Sequence, residues 1–529
     1  MSGGNLLAAL TDNIVIDKNS CIFCGKCAET CVLDNIRLRR APCSAACPLG
    51  LNVQGYVQLV ARGRLDDARA LVAEVLPFPG IICRICDHPC EAACSRRAVD
   101  GQAVNINGIK RALFAADGIV PPVCTPASGK SVAVVGSGPA GLLAAHDLRR
   151  AGHAVTVYEQ GDRPGGLLRS LLPVWKLPEA QLDAVVTALE AAGVTFRCRQ
   201  EIDRAAALEE LKRRHDAVIL APGAGGSRKG GILGEELPGV YSAFEFLAAV
   251  RAQAGPKFSG RVLVLGGGAT ALDCAQAARR QGADEVVVVY RRDAAHMRAT
   301  PEDISQTRSC GVRFAFTWAP AGICRGPRGL TLTCRHDMTL LAPECVNYPD
   351  FDPEEVREMG ADAIIVAVGQ EPRSRLEALI GWETPDPVTL QAGSGPVFVA
   401  GDAVLGPSSA VHAMASGREA AFSVIRFLAG EDLAYGRGTP GAVLDATPPQ
   451  AAPSASCPRQ EGTGHQCVGS GDYAETTRFL SSDEARKEAS RCLNCGGPEG
   501  YYRNCWFCLP CEVECPEQAL HVEIPYLLR

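Results

Sequence analysis

The sequence has no run of about 18 consecutive apolar residues, the minimum for a membrane-crossing helix. Its start, MSGGNLLAALTDNIVIDKNS, lacks the basic stretch followed by an apolar segment that marks a secretory signal. A soluble, cytoplasmic chain is therefore expected. Positive charge is not in excess either: 53 Lys and Arg stand against 59 Asp and Glu, a formal net charge of -6. Such a chain presents no basic field to nucleic acid or to an anionic membrane, so neither is expected as a partner.

Apolar residues are plentiful at 47%, with 21% charged, over 529 residues. On a prior of about 150 residues per domain, that length holds roughly three or four domains. Cysteine is the outlier. There are 25, and sixteen fall into three knots: Cys21, Cys24, Cys27 and Cys31; Cys43, Cys47, Cys83, Cys86, Cys90 and Cys94; and Cys492, Cys495, Cys505, Cys508, Cys511 and Cys515. In a reducing compartment, knots of this kind read as metal sites and not as disulfides. The nine isolated cysteines, among them Cys198, Cys274 and Cys334, read as packing residues.

One sentence of the sequence is said twice. Residues 130–159, KSVAVVGSGPAGLLAAHDLRRAGHAVTVYE, and 260–292, GRVLVLGGGATALDCAQAARRQGADEVVVVYRR, both read as buried strand, glycine turn, alanine-rich helix and second buried strand. Each is a dinucleotide-binding βαβ unit. The free N–H groups at the helix start attract a pyrophosphate, and glycine lets the backbone come close to it. Gly136, Gly138 and Gly141, around Pro139 and Ala140, fill these places in the first copy; Gly266, Gly268 and Ala271, around Ala269 and Thr270, fill them in the second. The copies differ in their last word. Glu159 suits an adenosine with free ribose hydroxyls, such as FAD or NAD, whereas Arg291 and Arg292 suit the extra phosphate of NADP. The buried segments 216–224 and 362–372, the latter turning at Gly369, and the late segment through Gly401 and Asp402 complete a chain for two dinucleotides.

The first knot, CIFCGKCAETC, has the C-x2-C-x2-C-x3-C spacing of a [4Fe–4S] ligand loop whose fourth cysteine reaches a second cube. CWFCLPCEVECP, ending in Cys515 and proline, repeats it. The middle knot is less regular and needs a tertiary fold to gather its ligands. Sixteen thiolates suffice for four cubes, three or four being expected, but spacing alone does not assign them. Zinc, held by paired C-x-x-C motifs in a partner-organising scaffold, is the alternative. A disulfide reductase would carry a redox cysteine pair near the flavin strands, and all paired cysteines here lie in the knots. Hydride transfer to a flavin needs no separate acid, base or nucleophile, so no catalytic residue is nominated.

The expected fold is α/β: two nested Rossmann-like domains, a helical iron–sulfur amino-terminal domain and a ferredoxin-like carboxy-terminal segment. The expected boundaries are 1–41 for a ferredoxin-like segment, 42–128 for the helical Fe–S domain, 129–240 with 365–435 for FAD, 241–364 for NAD(P), 436–475 for a linker or surface strap, and 476–529 for the second ferredoxin-like segment. The strap is rich in Pro, Gly, Ala and Ser.

PCSAACPLG, CRICDHPCEAAC, VGSGPAGLLAA, GGLLR with KLP, LGGGATALD, VYRR, AVGQEP and AGDAVLGPSSAVHAMASGREAA together resemble the small, beta subunit of NADPH-dependent glutamate synthase and the similar amino-terminal half of dihydropyrimidine dehydrogenase. The resemblance spans about residues 40–430. It implies FAD around Glu159, Gly166, Leu167, Gly401 and Asp402, and NADPH around Thr270, Arg291 and Arg292. Departures from the family pattern are local. RLRRAPC replaces an R-C-x-x-C pair before Cys43, while EASRCLNC occurs around Cys492 and Cys495; Lys110 stands in place of a cluster-binding glutamine and Cys83 in place of a glycine; Pro222, Ala269 and His412 replace Thr, Asn and an acid. Cys83 and the Cys21 knot are expected to complete the amino-terminal clusters. No glutaminase, thiamine or molybdenum segment is present, so substrate chemistry is expected on partner subunits or through ferredoxin, in a hetero-oligomer such as a 2-oxoacid:acceptor oxidoreductase. The alternatives are a glutamate synthase small subunit and a ferredoxin:NADP reductase, possibly bifurcating.

Overall fold

The computed structural model describes residues 14–17, 20–32, 35–115, 124–326, 329–338, 351–372, 379–381, 383–437, 443–445, 457–467, 469–500, 505 and 508–523. The chain forms two compact units, Pro121–Leu433 with Gly464–Thr477, and Met1–Val120 with Ala434–Thr463 and Arg478–Arg529. Among the described residues no helix is long and apolar enough to cross a membrane.

The first of these units holds two parallel five-stranded sheets built to one plan. In one, the order is Val397–Val399, Ala217–Leu220, Ser131–Val135, Ala154–Tyr158 and Thr195–Arg197. In the other it is Val240–Ser242, Ala363–Val366, Arg261–Leu265, Glu285–Tyr290 and Arg313–Phe316. The central strands, SVAVV and RVLVL, are almost wholly buried, because a parallel sheet covered on both faces has no solvent side on which to place a polar residue. The first sheet is completed by Val397–Val399 only after the chain has passed through the second.

Each central strand runs through glycine into a helix, Pro139–Arg150 or Ala269–Arg280. Pro139 opens the first helix where its missing N–H costs nothing. Helix Ala410–Ala429 crosses it backbone to backbone: a Cβ on Gly417 would lie 2.1 Å from the Ala140 carbonyl oxygen. An antiparallel sheet, Trp318–Gly326, Gly329–Asp337 and Phe351–Ala361, packs Leu332, Cys334 and Met359 against Leu263, Leu265 and Ile364 of the second parallel sheet.

The Gly464–Thr477 stretch is held by specific polar contacts despite its low apolar content. Arg280 is fully buried 4.0 Å below the Trp175 ring and donates to the Asp472 carbonyl at 2.6 Å; Thr476 N donates to the Trp175 carbonyl at 2.9 Å.

The other unit is helical around its core. Helices Val53–Ala61 and Ile106–Leu113 begin alike, with Asn52 and Asn105 accepting from Gly55 N and Gly108 N at 2.9 Å. Helix Ser482–Ala489 starts with a capping box between Ser481 and Glu484. Distant parts of the chain pair here: Ile14–Ile16 runs antiparallel to Leu520–Val522, and Ile36–Arg40 lies between Val443–Asp445 and Gly497–Gly500.

Candidate functional sites: two nucleotide cradles and four thiol sets

Gly136 and Gly266 turn their strands into helices at φ +98° and +136°, a region open to glycine at little cost. A Cβ would meet the Ala221 carbonyl oxygen at 2.2 Å in the first and that of Ala367 at 2.2 Å in the second. Gly141 is tighter still, since its Cβ would lie 1.9 Å from the Gly136 oxygen; Ala271 takes the equivalent place in the second helix and is fully buried. Gly138 and Gly268 are different. Nothing lies within 4 Å of where their Cβ would be, so both helices keep open space at their N-termini, where a pyrophosphate docks.

The structure brings most of the first set of predicted residues together. Gly166 approaches Gly138, with 2.9 Å between its would-be Cβ and the Gly138 Cα, and Leu167 opens the next helix. Gly401, at φ +72°, lies against the Ala140 methyl, and Asp402 follows it. Burial pushes the Asp402 carboxyl up, opposed by hydrogen bonds from Ser408. Glu159 is buried; it accepts from Ser137 N at 3.1 Å, from Ser137 Oγ, and from Gly161 N at 2.7 Å. Ser137 Oγ in turn accepts from Gly165 N at 2.9 Å. Ser137 thus locks the acid to both glycine loops, a role that sequence reading passed over although the residue sits inside the Gly-x-Gly.

Arg291 and Arg292 follow the strand Glu285–Tyr290, and among the described residues neither guanidinium has a hydrogen-bond or ion-pair partner. Two half-buried cations beside a glycine turn match a phosphate monoester. Ala269 and Thr270 stand at the opening of the helix, while the Tyr290 ring packs so closely on Gly267 that a Cβ there would be 2.4 Å away. Gly369, at φ +132°, lies two residues beyond Ala367, whose carbonyl faces Gly266, and beside Arg228, whose N donates to the Gly369 carbonyl at 3.0 Å. Lys176, from the KLP motif, was not singled out as a site residue. Its Nζ lies 2.7 Å from both Asp273 and Asp303, pinning the loop after the first glycine unit to the second glycine helix.

In the helical unit the sixteen knotted cysteines sort into four neighbourhoods. Cys21, Cys24 and Cys27 adjoin Cys515; burial, then the like charge of Cys24 and Cys515, pushes the Cys21 thiol up to about 11, and Cys27 is pushed up to about 12 in the same way. Cys505, Cys508 and Cys511 adjoin Cys31, and burial with these neighbours pushes Cys511 up to about 11. Cys43 and Cys94 adjoin Cys492 and Cys495 and line a pocket with them. Burial pushes Cys492 up to about 11. Cys47 adjoins Cys86 and Cys90, and Lys110 faces these three and Cys83. Among the described residues no group of three or more His, Cys, Asp or Glu is drawn in to hold a single metal ion. Soft thiols gathered in sets suit iron–sulfur clusters, whose metal supplies the positive charge that lets each thiol bind as thiolate.

The pair missing before Cys43 is thus supplied from the other end of the chain, by Cys492 and Cys495. Gln54 ties that segment down, its side chain accepting from Gly496 N at 2.9 Å.

Twin dinucleotide folds joined to a cysteine-rich helical unit define the class: an iron–sulfur flavoprotein fold of the nicotinamide-linked oxidoreductases. A family model described as "Pyridine nucleotide-disulphide oxidoreductase" matches residues 130–417, and another, "Dihydropyrimidine dehydrogenase domain II, 4Fe-4S cluster", matches residues 11–119. The chain belongs to the pyridine nucleotide-disulphide oxidoreductase family, with an Fe–S domain at its amino-terminal side. It is 32% identical to the NADP(+)-dependent formate dehydrogenase subunit beta of Moorella thermoacetica over 73% of its own length, and spans 60% of that protein. It is 29% identical to the NADPH-Fe(3+) oxidoreductase subunit beta of Geobacter sulfurreducens, covering 86% of this chain and 75% of that one. With the glutamate synthase [NADPH] small chain of Azospirillum brasilense it shares 32% identity over 72% of this chain and 84% of the other. The family resemblance read from the motifs is borne out by these relatives.

Proposed function

We propose that the chain is an electron-transfer subunit that connects NADP(H), through FAD, to four [4Fe–4S] clusters and a partner protein. When bound, the nicotinamide moves a hydride, the flavin exchanges electrons in pairs or singly, and the clusters carry single electrons. The observation that carries this reading is the sorting of sixteen cysteines into four sets of four, in a chain that also holds two glycine cradles with opposite charges at the adenosine end.

In this reading Gly136, Gly138, Pro139, Ala140 and Gly141 receive the FAD pyrophosphate, Glu159 its ribose, and Gly166, Leu167, Gly401 and Asp402 the rest of the flavin nucleotide. Gly266, Gly268, Ala269, Thr270 and Ala271 receive the second dinucleotide, with Gly369 lining the approach, and Arg291 and Arg292 select NADP over NAD. Each thiol set holds one cube. Three relatives named as subunits or small chains support a hetero-oligomer in which substrate chemistry lies on another chain. The ferredoxin-like ends favour a flavoprotein subunit of a ferredoxin-dependent enzyme, such as a 2-oxoacid:acceptor oxidoreductase.

Anaerobic stopped-flow mixing of the flavin- and cluster-loaded protein with NADPH tests this. Bleaching of the flavin, followed by a cluster EPR signal, is expected, with NADH slower. Flavin bleaching with no EPR signal, in protein that contains iron and sulfide, would refute the relay. A glutamate synthase small subunit is the second reading, favoured by the 84% coverage of the Azospirillum chain. Recovery of a glutaminase-bearing subunit on affinity purification from the native host decides for it.

A further inference from the structure

Helix Ile106–Leu113 buries Ile106, Ile109 and Leu113 as an amphipathic helix should, but it also buries Lys110, which is 4% exposed. An ammonium out of water is strongly disfavoured unless opposite charge accompanies it. Among the described residues no carboxylate forms an ion pair with Lys110. What faces it is sulfur: Cys86, Cys83, Cys90 and Cys47. Its helix is fastened to this segment on either side of Lys110, Asn107 Nδ2 donating to the Cys83 carbonyl at 3.0 Å and Arg111 Nε to the same carbonyl at 2.5 Å. The two acids between Cys83 and Cys94, Asp87 and Glu91, form no ion pair with Lys110. Glu91 bonds Arg459 at 3.0 Å and Asn107 N at 2.8 Å, and Asp87 acts on Cys86 less than Lys110 does. Arg111 and Arg84 add lesser positive influence at Cys83, their guanidiniums being committed to the Cys83 and Gly80 carbonyls at 2.5 and 2.9 Å. Around Cys43 the buried cation is a compensated one: Arg96 lines the same pocket as Cys43, Cys94, Cys492 and Cys495, but its guanidinium is bound to Asp100 at 2.7 Å.

We propose that Lys110 is a built-in counter-charge to the cluster held by Cys47, Cys83, Cys86 and Cys90, and that it raises that cluster's reduction potential. The inference rests on the reading that each thiol set carries a cube. Each reduction adds one electron to the cluster from an external donor, with no bond formed or broken. The added negative charge meets a fixed positive one, so the reduced state gains more than the oxidised state does. Lys110 acts on potential through space and is a positioning residue, not a ligand.

The test is an EPR-monitored redox titration of the full-length, anaerobically reconstituted protein, as wild type and as Lys110→Met, Lys110→Gln and Lys110→Arg, with iron and acid-labile sulfide counted in each. One cluster component is expected to become at least about tenfold harder to reduce in the two neutral variants, a shift of about 59 mV for one electron, at unchanged iron content. The others should stay in place and Lys110→Arg should return the component towards its original midpoint. Unmoved midpoints at full iron content overturn the proposal, as does loss of four irons from both neutral variants, which would make Lys110 a requirement for assembly. A wild type without iron or acid-labile sulfide removes the underlying reading instead, and shows itself by the lack of any cluster signal in all four proteins.

Discussion

Replacing Arg491 by Met should cut the helical unit apart. The Arg491 side chain is 0% exposed and donates to the carbonyls of Cys457, Ala103 and Gln102 at 3.0, 3.1 and 3.0 Å, and to Glu488 Oε1 at 2.7 Å. Glu488 is equally buried and accepts from Asn105 N and Gln460 N, each at 2.7 Å. Three stretches of chain, 102–105, 457–460 and 488–491, therefore meet on the Arg491–Glu488 pair; Arg491 also reaches Asp100 at 3.3 Å, an acid that Arg96 holds as well at 2.7 Å. Removing one partner of a buried pair costs about 3–5 kcal/mol, because the other charge stays behind. The Cys457 and Gln102 carbonyls left short of a donor add about 1 kcal/mol or more each, less than additively, while the Ala103 carbonyl keeps the Arg459 donor at 2.8 Å. A loss of about 5 kcal/mol is expected, a large fraction of the roughly 5–15 kcal/mol that holds a domain together. Urea unfolding of the cluster-loaded protein, followed by the visible absorbance of the clusters, should show the midpoint collapse. The double variant Arg491→Met with Glu488→Gln should recover about 2 kcal/mol or more, since the stranded charge is gone. A single-variant cost under about 1 kcal/mol, or no recovery in the double variant, would refute the account.

Other changes reach the cradles. Arg291→Ala with Arg292→Ala removes two charge-assisted hydrogen bonds of about 1.5–3 kcal/mol each to the extra phosphate, so KM for NADPH in a ferricyanide-reduction assay should rise at least about tenfold while that for NADH stays level. Gly141→Val drives a side chain into a carbonyl that already sits 1.9 Å from the Cβ position, so the purified protein should lose its flavin absorbance, whereas Gly138→Ala, with open space, should fold and bind more weakly. Lys176→Met strands Asp273 and Asp303, and its thermal midpoint should fall, with partial recovery in Lys176→Met/Asp273→Asn. Asp147 carries a pH dependence: burial raises its carboxyl, but the His146 hydrogen bond and the Arg418 guanidinium at 2.9 Å outweigh this and hold it below the usual range. A carboxyl depressed in the folded state stabilises above its unfolded pKa of about 3.9 and loses that stabilisation as pH falls through the lower folded value. Asp147→Asn should therefore cost about 2 kcal/mol at pH 7 in a denaturation series, with the gap to wild type closing below about pH 4.

Much of this architecture can be read in the sequence because its signals are local. A glycine turn between a buried strand and a helix announces itself within a dozen residues, and Glu159 and Arg291 follow at a fixed distance from their turns. The C-x2-C-x2-C runs are equally local. What sequence could not supply was partnership over long separations. Cys43 and Cys492 meet because Ile36–Arg40 pairs with Gly497–Gly500, and no periodicity encodes that pairing. Ser137, Gly417 and Lys176 were also illegible, since each matters through a backbone or carboxylate brought to it by another element. Lys110 was noticed only as a departure from a family pattern, and its chemistry appeared when the fold set it against four sulfurs.

The pairing of Ile14–Ile16 with Leu520–Val522, and of Cys31 with Cys511, has a consequence for biosynthesis. A ribosome that has already delivered both parallel sheets still holds back the residues that complete three of the four thiol sets. The nucleotide-binding unit can mature on the nascent polypeptide, whereas loading of those three sets must wait for release. A transcript truncated ahead of codon 490 would thus yield a yellow protein with at most a single cage intact.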